Sequence, residues 1–172
     1  MARELLGTVG LEGLTYSVLA EGARVTRQTL YRHWPTRAAL LRDLILEMHD
    51  VQPLEASSSD PAVIARMWLD AIRRGLADHS TRVAVAAVIA QADSDADSAQ
   101  ALQRIAEDRL DALNRLLEPC GLRLTADQYT QLCGPLLMRI FVDHAEASDG
   151  FLDSVAAQWC AALPGSFGQA GR

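Results

Sequence analysis

Lysine is absent from this 172-residue chain, so all 16 basic residues are arginine, and no function class follows from that fact alone. Aromatic residues make up only 5% of the chain. The apolar fraction is therefore mainly Ala and Leu, the side chains that lose least on entering a helix, and the expected fold class is all-α. Cysteine is scarce. Cys120, Cys133 and Cys160 are an odd number at wide spacings, without a CxxC pair or a neighbouring His, which excludes a disulfide framework and a thiolate zinc site. They read as small buried hydrophobes, with thiol redox sensing as the alternative. Long hydrophobic runs are also lacking: the longest, Val83 to Ala90, is bounded by Arg82 and Gln91. A membrane-spanning helix needs roughly 18 or more apolar residues. The opening Met1-Ala2-Arg3-Glu4-Leu5-Leu6-Gly7 has neither a charged leader before an apolar stretch nor a small-residue cleavage site, so a cytoplasmic protein is expected.

The formal net charge of −6 argues against a nucleic-acid protein until it is resolved along the chain. Residues 1–50 carry six Arg against six acids, and residues 51–172 carry ten Arg against sixteen acids. The whole deficit lies in the second part. From Gly22 to Arg42 the chain contains Arg24, Arg27, Arg32, Arg37 and Arg42 and no acid. A local basic stripe on an acidic protein is the electrostatic footprint of a docking phosphate backbone, although a solvated face has the same composition.

The pattern of breakers and apolar spacings predicts about nine helices. Ala2 to Val9 is a short helical pattern closed by the turn Gly10-Leu11-Glu12-Gly13. Thr15 caps a helix whose apolar face is Val18, Leu19 and Ala20, with Leu14 as a staple before it. After the turn Gly22-Ala23-Arg24-Val25, Thr26 caps a helix from Arg27 to Trp34, which Pro35 ends by excluding its predecessor from helical geometry. Two short helices joined by a tight turn form a helix-turn-helix pattern. Thr36 caps the next helix, in which Leu40, Leu41, Leu44, Ile45 and Met48 recur at the spacings of a buried stripe. The segment 52–60, with Pro53 and three consecutive serines, marks a boundary between a domain at 1–50 and one at 51–172. Five helical patterns follow, near 61–78, 81–92, 98–118, 125–146 and 150–163, and a Gly-rich tail from Pro164.

Within the helix from Arg27 to Trp34, Arg27, Gln28 and Thr29 occupy the first turn, with Tyr31, Arg32 and His33 one turn on. A recognition helix enters the major groove by its N-terminal end, where Arg can contact guanine and Gln adenine through two hydrogen bonds each. Thr, Tyr and His suit phosphate oxygens, contacts that set register without reading sequence. Leu30 and Trp34, four apart, are expected to point inward. Enzyme chemistry has no comparable support. His33, His49, His79 and His144 are dispersed, no nucleophile motif or glycine-rich phosphate loop occurs, and neither a metal nor a cofactor is expected.

Two segments, Gly10-Leu11-Glu12-Gly13-Leu14-Thr15 and Val25-Thr26-Arg27-Gln28-Thr29-Leu30-Tyr31-Arg32-His33-Trp34-Pro35-Thr36-Arg37-Ala38-Ala39-Leu40-Leu41, resemble the N-terminal region of TetR-family transcriptional regulators. The resemblance implies a bacterial homodimeric repressor that binds a palindromic double-stranded DNA operator and releases it when a small-molecule effector occupies the second domain. It places DNA contacts at Thr15 and Tyr16, at Arg27, Gln28, Thr29, Tyr31 and His33, and a phosphate contact at Arg37. The turn position usually held by Gly is Arg24 here, which costs about 1 kcal/mol or more if the backbone is left-handed. The first helix is also shorter than in the family. An alternative is therefore a dimeric small-molecule-binding or interaction protein that has lost DNA binding.

In the second domain, Ile64, Trp68, Ile72 and Leu76 recur every four residues on a wide apolar face. A pocket between bundle helices is the usual place for a small ligand, and Met67, Trp68, Leu137, Met138 and Phe141 are the bulky, adaptable groups suited to line one. A mainly apolar or aromatic effector is expected. Arg66, Asp70, Arg109, Gln131, Asp143 and His144 read as solvated. In the resemblance the last two helices pair with their copies across a two-fold axis, and Phe151, Leu152, Val155, Trp159 and Leu163 form a stripe for that contact.

Overall fold

Three threonines set the N-terminal helices. In the computed structural model, which describes residues 5, 13–47 and 58–163, Thr15 is extended and its hydroxyl accepts from the Val18 N–H at 3.3 Å, opening α1 (Tyr16–Ala23). Thr26 does the same for α2 (Arg27–His33), accepting from the Thr29 N–H at 3.2 Å, and Thr36 for α3 (Arg37–Glu47), accepting from the Ala39 N–H at 3.1 Å. Each hydroxyl satisfies an amide that the first helical turn leaves without a partner. Trp34 is extended, at φ −128 and ψ 90, as its position before Pro35 requires. The expected helix at 2–9, the turn at 10–12, Met48, most of the 52–60 segment and the tail from Pro164 lie outside the described residues.

Acidic and hydroxyl caps continue along the chain. Asp60 accepts from the Ala62 N–H at 2.8 Å at the start of α4 (Pro61–Ala77), and Asp78 from the Thr81 N–H at 2.9 Å at the start of α5 (His79–Gln91). Asp95 accepts from the Ser98 N–H at 2.9 Å in α6 (Ala96–Leu117), whose 22 residues span about 33 Å. A 3-10 turn, Glu118–Cys120, and Gly121 at φ 67 end that helix. A capping box between Thr125 and Gln128 opens α7 (Ala126–Phe141), and Ser148 caps α8 (Asp149–Ala162). The described residues are all helix and connection, with no strand.

The helix expected over 125–146 stops at Phe141. The N–H groups of Val142 and Asp143 both turn back to the Met138 carbonyl, at 3.0 and 3.1 Å, Ala145 bonds the Arg139 carbonyl at 3.0 Å, and His144 adopts a left-handed φ of 49. A non-glycine residue in that conformation leaves no mark in an apolar spacing pattern.

Packing divides the chain into two units that are discontinuous in sequence, residues 1–51 with 74–108 and residues 52–73 with 109–172. In the first, Leu14, Leu19, Leu30, Leu40, Leu41, Leu44 and Ile45 form one buried cluster with Ala84, Val88 and Ala101. In the second, Ile64, Leu69, Leu113, Leu117, Leu132, Leu136 and Leu152 are fully buried. There Arg66 and Arg73, two turns apart on α4, clamp the start of α8. Arg66 donates to Asp153 at 2.6 Å and Asp149 at 3.0 Å, and Arg73 to the Ala147 carbonyl at 3.0 Å.

The α8 stripe expected at a two-fold interface is used differently. Leu152, Val155, Trp159 and Leu163 are at most 9% exposed within their own unit, because α8 packs along α7 and the Trp159 indole donates to the Gln128 carbonyl at 2.9 Å. The large apolar side chains left exposed in this unit are Val63, Leu137, Met138 and Val142.

Candidate nucleic-acid interface

The turn between α1 and α2 fixes how α2 is presented. Arg24 is left-handed, at φ 55 and ψ 38; its N–H bonds the Glu21 carbonyl at 3.2 Å, and the Val25 N–H bonds the Ala20 carbonyl at 3.0 Å. That pair of bonds is the Schellman arrangement, which closes a helix and reverses the chain direction, and it favours glycine at the position Arg24 holds.

The far end of α2 is tied down by aromatic groups. The Tyr16 hydroxyl donates to the Trp34 carbonyl at 2.6 Å, and the Tyr16 and Tyr31 rings stack at 4.3 Å. Partial burial, with the nearby Tyr31 phenol second, raises the Tyr16 pKa above its ordinary value, so the hydroxyl keeps its proton for that bond. The Trp34 indole N–H donates to Asp43 at 2.9 Å, and Asp43 also accepts from Arg42 at 2.8 Å. Both ends of α2 are therefore held by groups outside it, as a seven-residue helix too short to be stable alone requires.

Only Leu30 of α2 is buried. Arg27, Gln28, Tyr31, Arg32 and His33 are exposed, and Thr29 is half-buried with its hydroxyl 3.0 Å from that of Thr26. Thr15 is exposed at the cap of α1. No carboxylate among the described residues pairs with Arg24, Arg27 or Arg32, all of them exposed, whereas Arg42 is paired with Asp43. Arg37, half-buried at the start of α3, encloses its Nε and Nη2 without an acceptor among the described residues. Of the residues anticipated as DNA contacts, Tyr16 therefore has its hydroxyl proton engaged within the fold. Arg27, Gln28, Tyr31 and His33 share the solvent-facing surface of α2. Such a surface, rich in unpaired guanidinium groups and amide and hydroxyl donors, matches the acceptor-rich edge of a DNA groove and its phosphates.

The residues anticipated as effector contacts are dispersed. Trp68 is buried and Met67 and Phe141 are half-buried, but Leu137 and Met138 are 38% and 52% exposed on α7. Beside Trp68 lies a polar group of Arg109, Tyr129 and Cys133; spacing places Tyr129 and Cys133 on the apolar face of their helix, while Arg109, expected to be solvated, is half-buried. Burial pushes the Tyr129 phenol well up and the Cys133 thiol up to about 11, so both are neutral at pH 7. Burial also lowers the Arg109 pKa, and no carboxylate among the described residues pairs with it. The one available signal was the four-residue spacing of Tyr129 and Cys133, which puts them on one face of a helix.

No described helix is long and apolar enough to cross a membrane. No curated protein matches the chain. Residues 1–44 match the family model described as bacterial regulatory proteins, tetR family. That segment contains α1, α2, their left-handed turn and the start of α3, so the N-terminal region is similar to the DNA-binding region of that family and carries a TetR-type helix-turn-helix.

Proposed function

We propose that this chain is a cytoplasmic bacterial repressor that acts as a homodimer on a palindromic operator and leaves it when a small molecule occupies the second domain. The observation that carries the reading is the exposed surface of α2, where Arg27, Gln28, Tyr31 and His33 stand free of the core, with Arg24 and Arg32 exposed beside them and paired with no carboxylate among the described residues. Arg27 and Gln28 read bases, and Thr15, Thr29, Tyr31, His33 and Arg37 position the helix on phosphates. Tyr16 contributes mainly by holding Trp34. In a two-fold dimer the recognition helices lie about 34–36 Å apart, one turn of B-DNA, which makes the operator palindromic. Leu137, Met138 and Val142 on and beside α7 are the exposed apolar groups that suit contact with a second copy. The effector site lies in the second domain, residues 51–172, around Trp68 with Met67 and Phe141 near it in sequence or on the facing helix.

Fluorescence anisotropy on the intergenic DNA flanking the gene, titrated over salt with scrambled DNA as control, tests this. Specific binding whose affinity falls with a log–log slope of about −0.9 per neutralised phosphate supports the reading. Equal, weak binding to both DNAs refutes it and favours the dimeric binding protein that has lost DNA recognition. Arg27→Ala is expected to cost about 1–3 kcal/mol per base contact and to relax preference at one operator position. A uniform loss on all sequences would make Arg27 a phosphate contact.

A further inference from the structure

The polar group around Trp68 is one-sided in its chemistry. Trp68 is only 5% exposed, and its indole nitrogen is enclosed without a hydrogen-bond partner among the described residues. That N–H lies near the Tyr129 hydroxyl and the Cys133 thiol, close enough to favour their ionised forms, yet makes no hydrogen bond of normal geometry to either. Arg109, from α6, acts electrostatically on the same two groups from α7. The indole and the guanidinium can only donate, and the neutral phenol, whose proton is turned to the Cys133 sulfur, adds a third donor group. No carboxylate among the described residues faces them in an ion pair. A half-buried cation beside a buried donor with no acceptor among the described residues loses solvation that no protein partner repays. The arrangement becomes favourable when an anion with two acceptor oxygens enters, since charge-assisted and forked contacts to carboxylate are the strongest that these groups make.

We propose that Arg109, Trp68 and Tyr129 form the head of the effector site and bind the carboxylate of a small amphipathic acid, with its apolar body among the bundle side chains. This deepens the effector reading above and rests on it. It also replaces the expectation of a mainly apolar ligand with one carrying an anionic end. Cys133, neutral at pH 7, completes the site as a small contact.

The full chain is titrated with benzoate and octanoate, and with benzamide and octanamide as neutral matches, by calorimetry and thermal unfolding. At least one acid is expected to bind with a Kd of about 1 mM or below and to raise Tm, with its amide at least tenfold weaker, the ratio expected for a charge-assisted contact. Arg109→Met is expected to abolish that shift while unfolding, without ligand, at the wild-type temperature or above it. Trp68→Phe, which keeps an aromatic ring and removes the N–H, is expected to weaken acid binding several-fold. Amides equal to acids, no binding of either acid, or an Arg109→Met chain that is less stable without ligand would each overturn the proposal; the last would make the guanidinium a structural group. Operator affinity, measured alongside, separates the two readings. Acid binding that leaves operator affinity unchanged refutes the regulatory reading and keeps the anion site. Release by the amides alone does the reverse.

Discussion

Replacing Arg24 by glycine should stabilise the protein. Arg24 occupies the left-handed position that closes α1, with its N–H and that of Val25 both bonded back into the helix. Its Cβ is driven towards the following carbonyl, which costs an L-residue roughly 1–2 kcal/mol. Glycine removes that strain but adds unfolded-state entropy of about 0.4–1 kcal/mol. The expected net gain for Arg24→Gly is about 0.5–1 kcal/mol. In a chain of this size that raises Tm by about 1–4 °C. Arg24→Ala is the control, since it shortens the exposed side chain and keeps the Cβ; it should stay within about 0.5 kcal/mol of wild type. Urea unfolding followed by far-UV circular dichroism gives midpoint and slope for all three proteins. Hydrogen exchange at Val25, whose amide closes the turn, should slow in the glycine variant. A glycine variant no more stable than the alanine variant would mean that the turn is not held in the left-handed conformation, and the strain argument would fail.

Tyr16→Phe keeps the ring stack on Tyr31 and removes the bond to the Trp34 carbonyl, with an expected loss of about 1 kcal/mol. Base preference should be unchanged; altered preference would show that Tyr16 itself reads DNA. Tyr31→Phe should weaken operator binding by roughly 1 kcal/mol per half-site through its lost hydroxyl, while scrambled DNA loses in proportion. The carboxyl of Asp149 is held below the usual carboxylate range, chiefly by its hydrogen bond to Arg73 and then by Arg66. Since its folded pKa is depressed, its contribution is present above the ordinary carboxylate pKa of about 4 and is lost as pH falls through the lower folded value. Asp149→Asn should therefore be less stable than wild type at neutral pH, with the difference shrinking towards pH 2. A pH-independent difference in urea midpoints would contradict the clamp on α8.

What the sequence made legible was local. The hydroxyls of Thr15, Thr26 and Thr36 cap helices through bonds spanning three residues, and Pro35 ends α2 through its neighbour, so both features could be anticipated without tertiary contacts. The inward position of Leu30 followed from the same short range. The positions that escaped depend on distant partners. Ala84 and Val88 of α5 pack with the N-terminal helices, but the run from Val83 to Ala90 is apolar on every side and does not say which neighbour it meets. The α8 stripe was visible as a stripe, although the α7 face that covers it was not. Arg109, Tyr129 and Trp68 come from three helices, and only folding brings them together.

If α2 reads DNA as proposed, its commitment of one side chain to the interior has a consequence for how such a protein can diverge. Five of the seven residues of α2 are exposed, and exchanges at exposed positions away from caps and cores usually change stability by no more than about 0.5 kcal/mol. Leu30 and the caps at its two ends then maintain the scaffold, while the lettering on its outer face can be rewritten. Gene duplication followed by a few substitutions could thus produce a sister protein that folds alike and answers to a different promoter, without passing through an unstable intermediate.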